Sequence, residues 1–265
     1  MRPARNVGLR LGALAASVLW LTGCPSEPSD TPGEPASAEA ADPSAAGDPG
    51  STPEGPSVGT PDRLRGPAGA RPVACDGSSN DPEQIALFLQ GAERDLPAAI
   101  RGMESLAGAH PGSATARVKL GELLLRTRPP SAARAQRWFD RALALDAEGC
   151  ALAPRDRWAA LEGLALSHMM QGDYAPALGP LRRSLERWPD VPSTHYNLAC
   201  ALCQTGDVDG CARELGRVLA MDAPGPAFLA DQRRPRAHYV RLARRDPDLA
   251  PLREDAARFE ALLAR

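Results

Sequence analysis

A short pattern of residues repeats at a fixed interval in the second half of the chain, and this interval limits the possible folds. Gly172-Asp173 and Gly206-Asp207 lie 34 residues apart, and the same shift places Leu164-Ala165 over Leu198-Ala199. Gly-Asp favours a turn, and the stretches around it are rich in alanine, leucine and arginine, which favour helices. A period of this length predicts helical hairpins that stack side by side.

The positions of large and small residues within this period resemble those of the tetratricopeptide repeat (TPR). The matching residues of the two clearest units are Leu164, Ala165, Gly172, Ala177, Leu181, Pro189, Leu198, Ala199, Gly206 and Leu215. Cys211 stands where the family has a small residue between the two helices. The resemblance implies an all-α fold, a right-handed superhelical stack of helix-turn-helix units.

About four such units are predicted, at 80–113, 114–149, 158–191 and 192–225, with a short insertion before the third. The first two match the pattern less well, as outer units of a stack often do, because one of their faces meets water. Residues 226–265 resemble the segment that closes many bacterial TPR proteins. This resemblance implies C-terminal capping helices over the end of the stack.

The chain begins with arginines and an apolar run, Leu11–Leu21, that is too short for a membrane span of about 20 residues. We therefore predict that residues 1–23 are an export signal. The run ends in Leu21-Thr22-Gly23-Cys24, which resembles the bacterial lipobox and implies a cleaved signal and a lipid on Cys24. Pro25, rather than aspartate, follows the cysteine, which favours the outer over the inner membrane in that family. The alternative is an ordinary secretory signal.

Residues 24–72 are mostly proline, serine, alanine, glycine and acidic residues. They offer almost no apolar surface to offset an ordering cost of about 1–2 kcal/mol per residue. We expect a disordered tether with an r.m.s. span of roughly 40 Å, which would separate a folded domain from the membrane.

Five cysteines follow Cys24, and because their number is odd, at least one cannot pair within the chain. They are Cys75, Cys150, Cys200, Cys203 and Cys211. A disulfide between Cys203 and Cys211 across a helical hairpin is possible in an exported protein. Two alternatives stay open: buried thiols that pack as small apolar groups, and a redox- or metal-responsive cluster of Cys200, Cys203 and Cys211.

The formal charge of −2 gives no reason to expect a nucleic-acid partner. The sequence has no phosphate-cradling glycine loop and no His-Glu-x-x-His motif, and we assemble no catalytic triad from it. We therefore predict a chain that is not an enzyme and has no cofactor or metal apart from the covalent lipid. The arginines between Arg233 and Arg245 are interpreted as a solvated helix face.

In the TPR family the first helix of each unit lines a concave groove that takes peptides or helices. The groove candidates that the resemblance implies are Lys119, Glu122, Arg126, Glu162, Leu166, Met169, Tyr196, Asn197, Cys200 and Gln204. The predicted function is a membrane-anchored scaffold that binds another protein or peptide at the cell envelope. The alternatives are the redox- or metal-responsive module and a structural spacer without a partner.

Overall fold

The computed structural model describes Cys75, residues 82–222 and residues 225–264. The predicted signal, the lipid site at Cys24 and the tether lie outside these residues. Within the described ranges the secondary structure is helical throughout, with no β-strand. The predicted all-α superhelical stack is confirmed. None of the described helices is both long and apolar enough to cross a membrane.

Eight helices form four consecutive antiparallel pairs. They are α1 (Pro82–Gly91), α2 (Leu96–Ala109), α3 (Ala114–Leu125), α4 (Ala132–Ala147), α5 (Pro154–Met169), α6 (Tyr174–Arg187), α7 (Pro192–Gln204) and α8 (Val208–Ala220). Each helix packs mainly against its predecessor and its successor along the chain. The pairs therefore stack in chain order, and α3 also packs on α5, the first helix of the next pair.

Local sequence accounts for the ends of these helices. Asp207 begins α8, where its carboxylate accepts a hydrogen bond from the backbone N–H of Gly210 at 2.8 Å. Ser113 caps α3 in the same way. The turns after α5 and α7 contain Gly172 and Gly206, whose φ values of +80° and +87° disfavour residues with a side chain. The repeated glycines are therefore required by the backbone of each turn.

The second helix of each of the last three pairs buries residues at the same two positions, four residues apart. These pairs are Ala135 and Phe139, Ala177 and Leu181, and Cys211 and Leu215, all of them fully buried. Residues four apart share a helix face, so the pattern directs the same face of α4, α6 and α8 into the stack.

The chain after α8 folds back against the last two pairs. It forms a 3-10 helix (Ala227–Gln232), α9 (Arg236–Arg245), a second 3-10 helix (Pro247–Leu249), α10 (Ala250–Arg253) and α11 (Ala256–Ala264). The second 3-10 helix packs on α7, and α11 packs on α8. The first 3-10 helix reaches α5, where Arg155 donates to the backbone carbonyl of Phe228 at 2.6 Å.

Two disulfides cross-link this architecture. Cys75 is bonded to Cys150, which lies between α4 and α5, and the bond closes a loop across a sequence separation of 75 residues. Cys203 on α7 is bonded to Cys211 on α8, across the hairpin of the last pair.

Candidate protein-binding groove

A cluster of charged side chains lies where α3 meets α5, on the side that the repeat pattern assigns to the groove. The ammonium group of Lys119 is 2.8 Å from a carboxylate oxygen of Asp156 and 3.1 Å from one of Glu122. The Thr115 hydroxyl also donates to Asp156, at 3.4 Å. Arg126 follows at the end of α3 and is half-buried. The cluster therefore presents both signs of charge from two neighbouring helices.

The environment of Lys119 keeps its amine charged. Burial lowers the pKa of Lys119, but the carboxylates of Glu122 and Asp156 outweigh this effect, so the pKa lies above its ordinary value. Lys119 is the only lysine in the chain. A positive charge is thus fixed at one point of the groove at any pH near neutrality.

A buried arginine fixes the position of α3. The Arg117 guanidinium donates to the backbone carbonyls of Ala107, His110 and Ser113, at distances of 2.7–3.2 Å. Ala107 and His110 lie at the end of α2 and Ser113 caps α3, so the arginine joins the last carbonyls of α2 to the start of α3. Burial lowers the pKa of Arg117, and the nearby Arg141 lowers it further. The side chain positions the groove helix and does not line its surface.

The prediction of an open groove along the last two pairs needs correction. Six of the ten candidates are less than 10% exposed: Glu162, Leu166, Met169, Tyr196, Asn197 and Cys200. Leu166 and Met169 pack in the apolar core between the helices. A partner cannot reach these six side chains in this structure. Lys119, Glu122 and Arg126 are half-buried, and Gln204 is exposed.

The chain's own C-terminal segment covers α7. The Tyr196 hydroxyl donates to the Asp246 carboxylate at 3.0 Å, and the Tyr196 ring lies 5.8 Å from that of Tyr239 on α9. Gln204 donates to the backbone carbonyl of Asp248 at 2.9 Å. The segment thus occupies the place that the repeat pattern leaves for a partner on the last pair.

Glu162 is a fully buried carboxyl group between α5 and α7. It accepts hydrogen bonds from the Thr194 hydroxyl at 2.6 Å and from the Asn197 amide at 3.0 Å. The Trp158 indole N–H donates in turn to the Thr194 hydroxyl, at 3.2 Å. Burial raises the pKa of Glu162 to about 7, although its hydrogen bonds act in the opposite direction. The network joins two neighbouring first helices and is closed to solvent.

The disulfide between Cys203 and Cys211 removes two of the three thiols that a Cys200, Cys203 and Cys211 site would use. Cys200 keeps its thiol, whose sulfur is 3.7 Å from a carboxylate oxygen of Asp246. Ligand atoms of Cys200, Asp246 and Asp248 lie within 4.8 Å of one another, close enough to hold one cation. One Asp246 oxygen already accepts a hydrogen bond from the Tyr196 hydroxyl, and the other accepts one from the backbone N–H of Asp248. These protein donors explain the position of the carboxylate without a cation.

A second buried polar contact joins the last two units and has no signal in the repeat pattern. The His195 ring lies 2.6 Å from a carboxylate oxygen of Glu214 and 2.8 Å from the Pro189 carbonyl, one ring nitrogen facing each. Arg217 also pairs with Glu214, at 2.7 Å. Pro189 closes the third unit, so this contact holds the junction between the third and fourth pairs.

No protein-family model and no curated protein matches the chain. Among solved structures, one titled "Crystal structure of MamA protein" is 13% identical, with a TM-score of 0.49 over 69% of this chain and 88% of that one. YrrB, titled as a TPR protein with an unusual peptide-binding site, is 13% identical, with a TM-score of 0.46 over 70% and 88%. These similarities concern the fold alone, which rests here on the helix pairs themselves.

Proposed function

We propose that the protein is a scaffold of the bacterial cell envelope that binds a protein or peptide through the α3–α5 part of its groove. The observation that carries the proposal is the charged cluster around Lys119, whose half-buried side chains lie on two consecutive first helices, next to the point where the first 3-10 helix meets Arg155. We assign it a role in binding, because its charged groups, Lys119, Glu122 and Asp156, are paired with one another.

The charges of the cluster indicate the chemistry of the partner. Lys119 and Arg126 offer donors and Glu122 an acceptor within about two turns of α3, and Asp156 offers an acceptor from α5. A segment that carries charges of both signs would bind with complementary potential. Such contacts at the rim of an interface favour specificity and association rate over affinity, so we expect a reversible partner.

Site-specific photo-crosslinking in living cells of the native organism tests this function. A photoreactive residue replaces Arg126 in the groove, and a matched control replaces Glu93, which is exposed in the turn after α1. We expect a crosslinked protein from position 126 and not from position 93. The product should disappear when Glu122→Lys is added, while the melting temperature stays within a few degrees. If positions 126 and 93 give the same crosslinked products, the groove is not the binding site.

We further propose that Cys24 carries the lipid that anchors the chain, with the outer membrane as the favoured location. The support is the lipobox-like Leu21-Thr22-Gly23-Cys24. Several acyl chains on one residue suffice for stable anchoring without a spanning helix. We expect Cys24→Ser to move the protein from the membrane fraction to the soluble fraction, and we expect the wild-type N-terminal peptide to carry diacylglycerol. A wild-type peptide with an unmodified Cys24 contradicts the anchor.

A redox-responsive module is the second candidate function, and the Cys203–Cys211 disulfide beside the Cys200 thiol favours it. Thiol titration of the native and the reduced protein, in cells grown under oxidising and reducing conditions, separates the two functions. A thiol count that follows growth conditions together with a change in partner binding supports the module. A constant count contradicts it and leaves the scaffold unaffected.

A further inference from the structure

Arginines recur at equivalent positions on the second helices of three successive units, which we call the outer helices. Two residues after the buried Phe139, Leu181 and Leu215, the chain has Arg141, Arg183 and Arg217 on α4, α6 and α8. Units of a stack repeat the orientation of their neighbours with a small rotation, so equivalent positions project from the same side. A row of guanidinium groups therefore runs along the side opposite to the groove.

Neighbouring positions extend this row into a surface, which we call the arginine face. It consists of Arg137, Arg141, Arg182, Arg183, Arg213 and Arg217. Arg137 and Arg213 lie one turn before Arg141 and Arg217, and Arg182 lies beside Arg183. All six are exposed except Arg141, which is half-buried.

The arginine face is more positive than the rest of the domain surface. Residues 82–264 contain 24 lysines and arginines and 23 acidic residues, so an ordinary face is nearly neutral. On α4, α6 and α8, however, the exposed acidic residues are Asp140, Glu186 and Asp209. The other two acids of these helices, Asp146 and Glu214, are largely buried and bonded to Arg157 and His195. The outer helices therefore have an excess of positive charge.

Most of this charge is available to a partner. Arg141 pairs with Glu148 at 3.4 Å, and Arg217 pairs with Glu214. Arg137, Arg182, Arg183 and Arg213 have no ion pair within the described part of the chain. The planar guanidinium group fits phosphate oxygens with two parallel hydrogen bonds. A broad surface of such groups on several helices, rather than one pocket, suits a ligand that is itself an extended array of phosphates.

We propose that the arginine face binds the anionic phosphates of a lipid bilayer surface. The inference rests on the proposed anchor, because a lipid on Cys24 would hold the domain at an r.m.s. distance of roughly 40 Å from the bilayer on a chain of this length. A tether of this length raises the effective concentration of the domain at the bilayer surface, so weak contacts are sufficient to hold it there. In this arrangement the groove on the opposite side faces away from the membrane.

Neutron reflectometry of the full, lipidated protein on supported bilayers tests the proposal. The measured quantity is the height of the domain above a bilayer of phosphatidylcholine alone and above one with added phosphatidylglycerol. We expect the height to fall on the anionic bilayer and to be restored by high salt, since the contact is electrostatic and the Debye length is about 8 Å at physiological ionic strength. A height that is independent of phosphatidylglycerol overturns the proposal.

Two variants with the same change in charge identify the surface. Arg137→Gln, Arg183→Gln and Arg213→Gln are combined in the first, and we expect it to lose the lowering on anionic lipid. Arg94→Gln, Arg241→Gln and Arg245→Gln are combined in the control, which removes three exposed arginines elsewhere and should behave as the wild type. Equal loss in both variants overturns the assignment to this face, because net charge alone then governs the contact.

Further outcomes separate this proposal from its alternatives. If the first variant changes the height on neutral bilayers as well, the arginine face binds the chain's own acidic segment, and the lipid proposal is wrong. If mass spectrometry shows no lipid on Cys24, the anchor fails, and the same variants are compared by flotation with phosphatidylglycerol vesicles. Flotation of the control but not of the first variant then still supports the arginine face, whereas equal behaviour overturns it.

Discussion

At the residue scale, Glu162 shows how the stack combines a polar group with a closed core. Its carboxyl lies between α5 and α7 and is satisfied by Thr194 and Asn197, without a cation among the described residues within ion-pair distance. Burial raises its pKa to about 7, so the native state favours the protonated acid. The group belongs to the packing of neighbouring units and not to a surface that a ligand could reach.

This carboxyl makes stability depend on pH. The folded pKa of about 7 lies above the unfolded value of 4.5, so the native state binds more protons between these values. The free energy of unfolding should therefore fall as pH rises from about 5 to 7 and then level off. Glu162→Gln should reduce this fall by about 2–3 kcal/mol, measured by urea denaturation at pH 5 and pH 8. If Glu162→Gln and the wild type lose the same free energy of unfolding between pH 5 and pH 8, the pH dependence does not come from Glu162.

Thr194→Val provides a second check at the same site. It removes the donor at 2.6 Å from Glu162, and the ionised carboxylate loses more from this than the protonated acid does. We expect a larger destabilisation at pH 8 than at pH 5. Equal destabilisation at both pH values would mean that the valine acts through packing alone.

At the element scale, close approach of helices depends on a single aromatic ring. The Phe139 side chain of α4 is inserted between α3 and α5, against Gly121 and Gly163. A Cβ on Gly121 would lie 2.6 Å from the Phe139 ring, and one on Gly163 would lie 2.3 Å from it. The two glycines create the space that the ring fills.

Gly163→Ala should therefore destabilise the protein although alanine favours helices. Overpacking costs about 1–3 kcal/mol, against a gain of about 1 kcal/mol in helix propensity, so we expect a net loss of up to about 2 kcal/mol. The control is Gly108→Ala in α2, where a Cβ meets no atom within 4 Å and the variant should be neutral or stabilising. Thermal unfolding of both variants checks the sign, and equal shifts contradict the steric explanation.

The C-terminal segment is the second feature at this scale, and Asp246 connects it to α7. Burial raises the pKa of Asp246, and its oxygens accept from Tyr196 and from the backbone of Asp248. Asp246→Ala should weaken the segment by about 2 kcal/mol. We expect faster hydrogen exchange in α10 and α11 and unchanged exchange in α3 and α4. Glu254→Ala, an exposed control on the same segment, should leave exchange in α11 near wild type.

The sequence predicts some of these features and not others, for physical reasons. Gly172 and Gly206 are predictable because the turn conformation is a local property of the chain. The contact between Tyr196 and Asp246 spans 50 residues and lies outside the period, so the repeat pattern places Tyr196 in an open groove. Residues 226–265 read as a cap, but no local signal shows that α9 and the second 3-10 helix cover α7 as well.

At the scale of the whole molecule, two covalent bonds constrain the chain to different degrees. The Cys75–Cys150 bond spans 75 residues, whereas the Cys203–Cys211 bond spans 8. The sequence leaves the Cys203–Cys211 bond as one of several alternatives. It offers no partner for Cys75, because a separation of 75 residues carries no geometric signal before the fold is known. The longer loop restricts the unfolded chain more strongly.

Removal of each disulfide should therefore have unequal effects. On the loop-entropy scale, Cys75→Ser with Cys150→Ser should lower the free energy of unfolding by about 4 kcal/mol, and Cys203→Ser with Cys211→Ser by about 2–3 kcal/mol. Denaturant unfolding of the two double variants gives the comparison. A larger loss from the shorter loop would show that native packing around Cys211, and not the entropy of the unfolded chain, dominates.

The longer disulfide also determines how the molecule responds to tension. A pull between the N-terminal chain and a load attached beyond α5 passes from Cys75 directly to Cys150 through the sulfur atoms. Residues 76–149 lie in a closed loop beside this path and carry no force. The helices α5 to α8 can be drawn out while α1 to α4 remain folded. Lys119, Glu122 and Arg126 would stay on the folded side, whereas Asp156 leaves with α5, so stretching takes apart the proposed α3–α5 binding site while α3 itself is still folded.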